Sequence, residues 1–196
     1  MPGSPFMYVV AGPAGSGKSR LFPSRPSAST TSTSTTPRRR STARTRTSLP
    51  SCGRGRDARA RTSFGHIAAG RSFAVETALR TAVSIEQARA ARAAGFTTAL
   101  VFAGASDAAI NVERVRIRGL MGGHSAPPAL IREIYTASLA NLRPALDVFD
   151  IVRIYDNSTP DVAPSAVSAR VDASVAHVSP DAPAWVLRAV EHLFGR

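Results

Sequence analysis

The chain has 196 residues, with 25 Lys and Arg residues against 13 Asp and Glu residues, for a formal net charge of +12. This length suits one domain with its own core, and no apolar run approaches the roughly 18 residues that a membrane span needs. The single cysteine, Cys52, excludes an internal disulfide. Together with the lack of a secretory signal pattern, it favours a reducing cytoplasm.

The positive charge is concentrated in one segment, residues 20–62. This segment holds 11 arginines and one acidic residue, Asp57, whereas the remaining 153 residues carry 14 basic and 12 acidic groups. Seventeen of its 43 residues are Ser or Thr, and its only large apolar side chains are Leu21, Phe22 and Leu49. Because it has neither helical nor alternating periodicity, it cannot offset the entropy of ordering. We therefore predict that residues 20–62 are disordered.

A phosphate-binding motif follows the first apolar run of the chain. Residues 6–10 indicate a buried strand, and residues 12–19 have the pattern Gly-x-x-x-x-Gly-Lys-Ser. The glycines can adopt backbone angles closed to other residues and let main-chain N–H groups approach an anion. The lysine would contact the β- and γ-phosphates and the serine would bind Mg²⁺. The predicted nucleotide-binding residues are Gly12, Pro13, Ala14, Gly15, Ser16, Gly17, Lys18 and Ser19.

The surroundings of the motif support it on one side and oppose it on the other. Lys18 is the only lysine of the chain and stands where the motif requires one. A helix should begin near Gly17 and point its positive end at the phosphates. Pro23 and Pro26, however, remove backbone donors within the first two turns and should end that helix early.

The rest of the chain predicts alternating strands and helices. Strands are expected within residues 70–77, 96–103 and 149–155, and a further one within 171–178. Helices are expected at residues 85–94, at 107–118 with Ser106 as N-cap, at 128–142 with Pro144 as terminator, and at 183–194. This alternation predicts an α/β fold of the P-loop NTPase kind, three layers deep with a mainly parallel sheet. Residues 1–196 would form one domain, interrupted by segment 20–62.

Arginines flank a glycine loop in the second half of the chain. Arg114 and Arg118 lie four residues apart on a predicted helix and so share one face, where they repel each other unless an anion lies between them. The loop of residues 119–124 follows, and Arg132 lies on the next helix. Such an arrangement suits a lid that closes over phosphates and neutralises developing charge. The alternative is a solvated arginine face.

Other polar residues allow two interpretations each. Glu76 lies where the sheet would open onto a ligand crevice, so it serves either the substrate or, like Thr77, as a cap of the next helix. His124 is either a ligand or base or, more commonly beside glycines, a turn former. Asp156 and Asn157 are typical of a turn, with nucleotide contact as the less common alternative.

A series of short motifs occurs in order along the chain. They are residues 11–19, Gly70-Arg-Ser-Phe-Ala-Val-Glu-Thr77, Arg114-Val115 with Arg118, Gly122-Gly123-His124, Ile131-Arg132, Ser138-Leu-Ala-Asn-Leu142 and Tyr155-Asp156-Asn157-Ser158. The series resembles the bacterial zeta-toxin family of P-loop kinases, which is related to UDP-N-acetylglucosamine kinases. The resemblance covers residues 5–19 and 66–160.

The resemblance implies transfer of a phosphate from ATP or GTP to a hydroxyl of a small molecule, such as the amino-sugar nucleotide UDP-N-acetylglucosamine. It implies that Lys18 and Ser19 serve the nucleotide phosphates and Mg²⁺, and that Glu76 and Thr77 lie in the substrate region. Arg118 and Arg132 would be the lid arginines and, with Lys18, the catalytic residues. An antitoxin protein would be a further partner.

The chain departs from this family in residues 20–62. Such kinases have an aspartate after the second strand, which would accept the proton of the substrate hydroxyl. Here that region contains only Asp57, in no recognisable context. After Arg132, where many relatives have further arginines, this chain has Glu133 and Ile134. Out-of-frame reading of GC-rich DNA yields Arg, Ser, Thr, Pro and Ala, so we hypothesise that residues 20–62 are frame-shifted.

Two alternatives to a kinase of this family remain open. The arginine-rich segment could associate with nucleic acid through phosphate contacts, without catalysis. It has no aromatic residue except Phe22, however, and it interrupts a kinase motif. A metabolite kinase of gluconate or shikimate type is the second alternative, against which the motifs at residues 122–124 and 155–158 argue.

The frame-shift hypothesis predicts what the gene encodes between codons 20 and 65. One of the other two reading frames should encode an apolar helix that continues from Lys18, then a strand and an aspartate. Sequencing and translating this stretch in all frames is the measurement. The hypothesis fails if neither frame encodes these three features.

Overall fold

The computed structural model describes residues 3–21, 62–159, 165–171 and 174–193. Most of the segment predicted to be disordered, residues 20–62, lies outside these ranges. Arg20, Leu21 and Thr62 lie within them and are helical, so the prediction is wrong for these three residues. The predictions that concern Pro23, Pro26, Cys52 and Asp57 therefore also lie outside the described residues.

Strands and helices alternate along the described ranges. The strands are β1 (Phe6–Ala11), β2 (Phe73–Thr77), β3 (Thr97–Gly104), β4 (Ile151–Asp156), β5 (Ser165–Val171) and β6 (Ser174–Val178). The helices are α1 (Lys18–Leu21), α2 (residues 62–68), α3 (Val83–Ala93), α4 (Ala108–Leu120), α5 (Pro128–Leu146) and α6 (Ala184–Val190), the last followed by a 3₁₀ turn at Glu191–Leu193. Among the described residues, no helix is both long enough and apolar enough to cross a membrane.

The strands form one sheet in the order β2-β1-β3-β4-β5-β6. The first four are parallel, whereas β5 pairs antiparallel with β4 and β6 antiparallel with β5. This confirms the predicted α/β fold with a mainly parallel sheet. Because parallel strands end at the same edge, the loops after β1, β2, β3 and β4 leave the sheet together, where open α/β sheets bind ligands.

The core lies against one face of this sheet. Val9, Leu100 and Val152 are lateral neighbours on three adjacent strands and are all buried. They pack with buried residues of α3, α5 and α6, among them Ile85, Leu142 and Trp185. In β3 the seven residues from 98 to 104 are buried without alternation, so both faces of this strand are covered.

Two sequence-based predictions about helix ends are wrong. The N-cap of α4 is Asp107, whose carboxylate accepts a 2.7 Å hydrogen bond from the Ala109 N–H. Ser106 lies one residue before this cap, and its backbone N–H donates a 2.9 Å hydrogen bond to the Ser158 hydroxyl. Pro144 does not end α5, which continues to Leu146. The last turn persists because Ala145 and Leu146 are buried in the core.

The C-terminal part of the sheet also differs from the prediction. The pattern at residues 171–178 predicts one strand, whereas the structure has the antiparallel pair β5 and β6. Residues 62–68, for which the sequence pattern predicts no helix, are helical. The final helix ends at Val190 and passes into a 3₁₀ turn.

The position of Phe102 in the centre of the sheet predicts a large effect of truncation. Phe102 is fully buried in β3, so Phe102→Ala should lower the free energy of unfolding by about 3–5 kcal/mol. Leu120→Ala is the control, because Leu120 is 75% exposed and its truncation should change stability by less than about 0.5 kcal/mol. Urea unfolding of both variants is the measurement. Equal effects would contradict the central position of β3.

Candidate phosphate-binding site

The phosphate loop, residues 12–17, connects β1 to α1 at the edge where the parallel strands end. Gly12, Gly15 and Gly17 have φ angles of 140°, 79° and 89°, which other residues rarely adopt. A Cβ atom at Gly15 would lie 2.6 Å from the Asn111 carbonyl oxygen, and one at Gly17 would lie 2.0 Å from Asn157 Nδ2. Glycine is therefore required here both by backbone conformation and by close neighbours.

An open cleft of about 230 Å³ lies against this loop. It is lined by Ala14, Gly15, Gly17, Lys18, Ser19, Glu76, Arg114 and Arg118. Three of these side chains are cationic, and Glu76 is the one carboxylate among them. The cleft therefore combines a glycine loop with an excess of positive charge, which is the environment that a polyphosphate requires.

Lys18 lies at the base of the cleft. Its ammonium donates hydrogen bonds to the carbonyl oxygens of Gly12 at 2.7 Å and Pro13 at 3.1 Å. Its Nζ atom is 3.9 Å from Glu76 Oε1, and the side chain of Lys18 is 13% exposed against 67% for Glu76. Burial lowers the pKa of Lys18, with Glu76 opposing and Arg118 adding to this shift. The loop thus holds a desolvated cation whose carboxylate neighbour is well exposed to water.

Arg114 and Arg118 both reach the cleft from α4. The Arg114 guanidinium donates a 2.7 Å hydrogen bond to the Asn157 carbonyl, and burial, aided by nearby Arg20, lowers the pKa of Arg114. Arg118 donates a 3.2 Å hydrogen bond from Nε to the His124 carbonyl. Arg116 instead forms an exposed ion pair with Glu113, at 2.8 Å. The cleft therefore receives alternate arginines of this helix.

The remaining predicted site residues lie further away. Arg132 is exposed on α5 and does not line the cleft. The Thr77 hydroxyl accepts a 3.1 Å hydrogen bond from the Leu79 N–H, which closes the turn after β2. His124 is exposed in the loop after α4, and its carbonyl is the acceptor for Arg118. The roles of Arg132 and Thr77 stay predictions.

A second cavity, of about 290 Å³, lies beside β2. It is lined by Thr62, Ser63, His66, Phe73, Ala74, Val75 and Glu76. The His66 ring stacks on Phe73 with 5.5 Å between the ring centroids. His66 Nδ1 is buried without a hydrogen-bond partner among the described residues. Glu76 lines both this cavity and the cleft at the phosphate loop.

The turn between β2 and α3 is held by α5. Leu79 is fully buried with a φ angle of 54°, which is unusual for a residue other than glycine. The Ser138 hydroxyl bonds to the Ala78 carbonyl, and Asn141 Nδ2 donates to the Leu79 carbonyl at 3.0 Å. The motif at residues 138–142 thus fixes the chain just after Glu76.

Sequence reasoning missed two residues that contact the phosphate loop. No sequence motif indicates Asn111 on α4, and the pattern around Asn157, after β4, predicts a turn first and nucleotide contact second. Both side chains are buried and donate to loop carbonyls. One feature of the sequence points to Asn111: it lies near the start of a helix, at a position facing the core, where an asparagine is unfavourable unless its side chain has a hydrogen-bond partner.

No family model and no curated protein sequence matches the chain. Solved structures of the AvrRxo1-ORF1:AvrRxo1-ORF2 complex do match in fold. The form with sulphate ions gives a TM-score of 0.64 at 15% identity, over 92% of this chain and 62% of that chain. The form with ATP gives a TM-score of 0.60 at 13% identity, over 89% of this chain and 61% of that chain. This chain therefore spans about three fifths of those chains' length.

A third match is the PezAT chromosomal toxin-antitoxin system of Streptococcus pneumoniae. Its TM-score is 0.51 at 12% identity, over 98% of this chain and 85% of that chain. At such low identities the likeness shows a shared fold. The protein is thus an α/β protein with a glycine-rich loop after its first strand, and its fold is that of these AvrRxo1 and PezAT structures.

The buried Lys18 predicts a pH dependence of stability. The pKa of Lys18 in the folded chain lies below the ordinary 10.5. As the pH approaches 10.5, the Lys18 side chain is therefore more often protonated in the unfolded chain than in the folded one. The contribution of Lys18 to the free energy of unfolding consequently rises with pH. As the pH rises, the free energy of unfolding of the wild type should therefore increase relative to that of Lys18→Met. Urea unfolding in steps from about pH 7 to about pH 10.5 measures it. A difference that is constant over this window would contradict the burial of a charged Lys18.

Proposed function

We propose that this chain binds ATP at the phosphate loop and transfers its γ-phosphate to a hydroxyl of a small molecule, as a kinase of zeta-toxin type. The observation that carries the proposal is the cleft in which Lys18, Arg114 and Arg118 surround the glycine loop. The motif Gly-x-x-x-x-Gly-Lys-Ser occupies the position that phosphate binding requires, between a parallel strand and the start of a helix. GTP is the alternative donor.

Lys18 would change partners when the nucleotide binds. In the free chain its ammonium satisfies the carbonyls of Gly12 and Pro13. A triphosphate in the cleft offers charged acceptors, which form stronger hydrogen bonds than neutral carbonyls do. An anion beside a desolvated lysine also favours its charged form, so binding raises the pKa that burial lowers. We thus assign to Lys18 both the binding of the triphosphate and the neutralisation of its charge.

Ser19 fits the role of a Mg²⁺ ligand. Its side chain lines the cleft at the first turn of α1 and is exposed. Among the described residues, no group of three or more His, Cys, Asp and Glu is placed to hold a metal ion. A single protein ligand is nevertheless compatible with Mg²⁺, which keeps several waters and is otherwise held by the nucleotide phosphates. When bound, Mg²⁺ supplies neutralisation of the β- and γ-phosphate charge.

The arginines of α4 would stabilise the charge that develops on the transferred phosphoryl group. Phosphoryl transfer depends almost entirely on positioning and electrostatic stabilisation. Arg114 is fixed by its bond to the Asn157 carbonyl, whereas Arg118 donates to the His124 carbonyl in the loop that follows α4. Arg132, on the far side of this loop, would approach when the loop closes over the nucleotide. We assign catalysis to Lys18, Arg118 and Arg132.

The cavity beside β2 would hold the acceptor, with Glu76 between acceptor and donor. Glu76 is the one carboxylate among the residues that line the cleft, so it is placed to bind the acceptor hydroxyl or to accept its proton. Thr77, next along β2, belongs to the same substrate region. The sequence resemblance favours an amino-sugar nucleotide such as UDP-N-acetylglucosamine. The PezAT match, named a toxin-antitoxin system, supports an antitoxin as partner.

Nucleotide binding is tested first, with Lys18→Ala. Removing the charged contact to the phosphates should weaken ATP binding about 100-fold, measured by calorimetry with Mg²⁺ present. Because Lys18 is the only lysine, an amine-reactive reagent labels only this side chain and the N-terminus. ATP should protect Lys18, but not the N-terminus, from labelling. Absence of both affinity and protection in the wild type would overturn the proposal.

Transfer is tested in the same preparations, with UDP-N-acetylglucosamine as acceptor and γ-labelled ATP as donor. Arg118→Ala should lower kcat at least about tenfold, because an interaction with the transition state is lost. Arg116→Ala is the matched control, since this arginine lies on the same helix but pairs with Glu113 in solvent. Equal losses in the two variants would contradict the role of Arg118. ATP binding without any transfer would restrict the chain to nucleotide binding.

A further inference from the structure

Two buried asparagines reach the phosphate loop from different parts of the fold. Asn111, on α4, is fully buried and donates a 2.7 Å hydrogen bond from Nδ2 to the Ala14 carbonyl. Asn157, directly after β4, is 2% exposed and donates a 2.9 Å hydrogen bond from Nδ2 to the Ser16 carbonyl. The two amides therefore bind alternate carbonyls of the same loop.

All four polar groups of Asn157 are engaged. Besides its bond to the loop, its Oδ1 accepts a 3.3 Å hydrogen bond from Arg20 on α1. Its carbonyl accepts the 2.7 Å bond from Arg114, and its N–H donates to the Gly104 carbonyl at 2.9 Å. Asn157 thus connects the end of β3, the loop, α1 and a cleft arginine.

The loop glycines leave room for both contacts. At Gly17 a Cβ atom would lie 2.0 Å from Asn157 Nδ2, and at Gly15 one would lie 2.6 Å from the Asn111 carbonyl oxygen. These distances are far below ordinary van der Waals contact. A residue with a Cβ atom at position 15 or 17 would therefore force Asn111 or Asn157 away from its present position. The spacing of the motif glycines therefore matches the spacing of the two asparagines.

The contacts orient the peptide groups of the loop. All peptide bonds of the described chain are trans, so in each peptide plane the C=O and the next N–H point in opposite directions. A carbonyl of Ala14 held by Asn111 turns the Gly15 N–H away from α4. A carbonyl of Ser16 held by Asn157 turns the Gly17 N–H away from residue 157. Both glycines line the cleft, where N–H groups bind an anion.

The arrangement has a cost within the fold. Asn111 Oδ1 and Ser16 Oγ are buried without a hydrogen-bond partner among the described residues. An unsatisfied buried acceptor destabilises the folded state. The presence of Asn111 here is therefore better explained by the geometry that its hydrogen bond imposes on the loop than by a contribution to stability.

We infer that Asn111 and Asn157 are positioning residues, which fix the phosphate loop in its anion-binding conformation before nucleotide arrives. Asn157 additionally sets the position of Arg114 relative to the loop. This inference rests on the proposed function in one respect, since the anion to be bound is the triphosphate. That the two asparagines hold the loop in place is a property of the chain without nucleotide and is measured there.

We call the two hydrogen bonds from Asn111 and Asn157 to the loop the clamp. Hydrogen exchange of the chain without nucleotide tests it. Asn157→Ala, and Asn157→Asp, which replaces the donor by a carboxylate facing the Ser16 carbonyl, should speed exchange of the amides in residues 12–19 about tenfold. Asn141→Ala and Asn141→Asp are matched controls, because Asn141 makes the same kind of bond, to the Leu79 carbonyl at 3.0 Å. They should leave exchange in residues 12–19 unchanged. Unchanged exchange in the Asn157 variants overturns the inference.

ATP affinity of the same four variants separates this inference from the proposed function. The Asn157 variants should bind ATP about tenfold more weakly than the Asn141 variants, even where thermal unfolding shows equal stability. A wild type that binds no ATP, together with faster loop exchange in the Asn157 variants, refutes the proposed function and retains the clamp. Equal affinity and equal loop exchange in all four variants refutes the clamp alone.

Discussion

The geometry of the site depends on the parallel pairing of β1 with β3 and of β3 with β4. This pairing sets Gly104 opposite Asp156, so the chain leaves both strands at the same level. The Asn157 N–H can then bond to the Gly104 carbonyl, and its side chain reaches across to the loop that follows β1. A shift in register would separate Asn157 from Ser16. The phosphate loop is therefore positioned by the sheet rather than by its own sequence alone.

Charge burial is the second constraint on the site. Lys18 and Arg114 are both partly removed from water, and in each case burial is the main cause that lowers the pKa. Protein carbonyls serve as their hydrogen-bond acceptors, while Glu76, the carboxylate nearest to Lys18, is mostly exposed to water. Desolvated cations with neutral partners are held at a cost. An anion that enters the cleft relieves this cost, which favours binding of a highly charged ligand over a neutral one.

Features that local pattern determines could be predicted from the sequence. The strands β1 and β3, the glycine loop and the position of Lys18 beside this loop follow from short apolar runs and from one motif. The bonds from Asn111 and Asn157 could not be predicted, because they join residues 97 and 141 positions apart. Ser106 and Asp107 are both suitable N-cap residues by type, so local propensity does not decide between them, and the structure has Asp107 as the cap.

The shared fold does not by itself define the chemistry, because the matched structures are at most 15% identical to this chain. The proposed phosphoryl transfer is supported instead by the position of the chain's own residues. Glu76 is opposite Val10 in the sheet register, one residue before β1 ends and the phosphate loop begins. Glu76 lines the cationic cleft and also the cavity beside β2. Donor and acceptor must meet in line for the transfer, and of the residues that the structure describes, Glu76 is the one that lines both cavities.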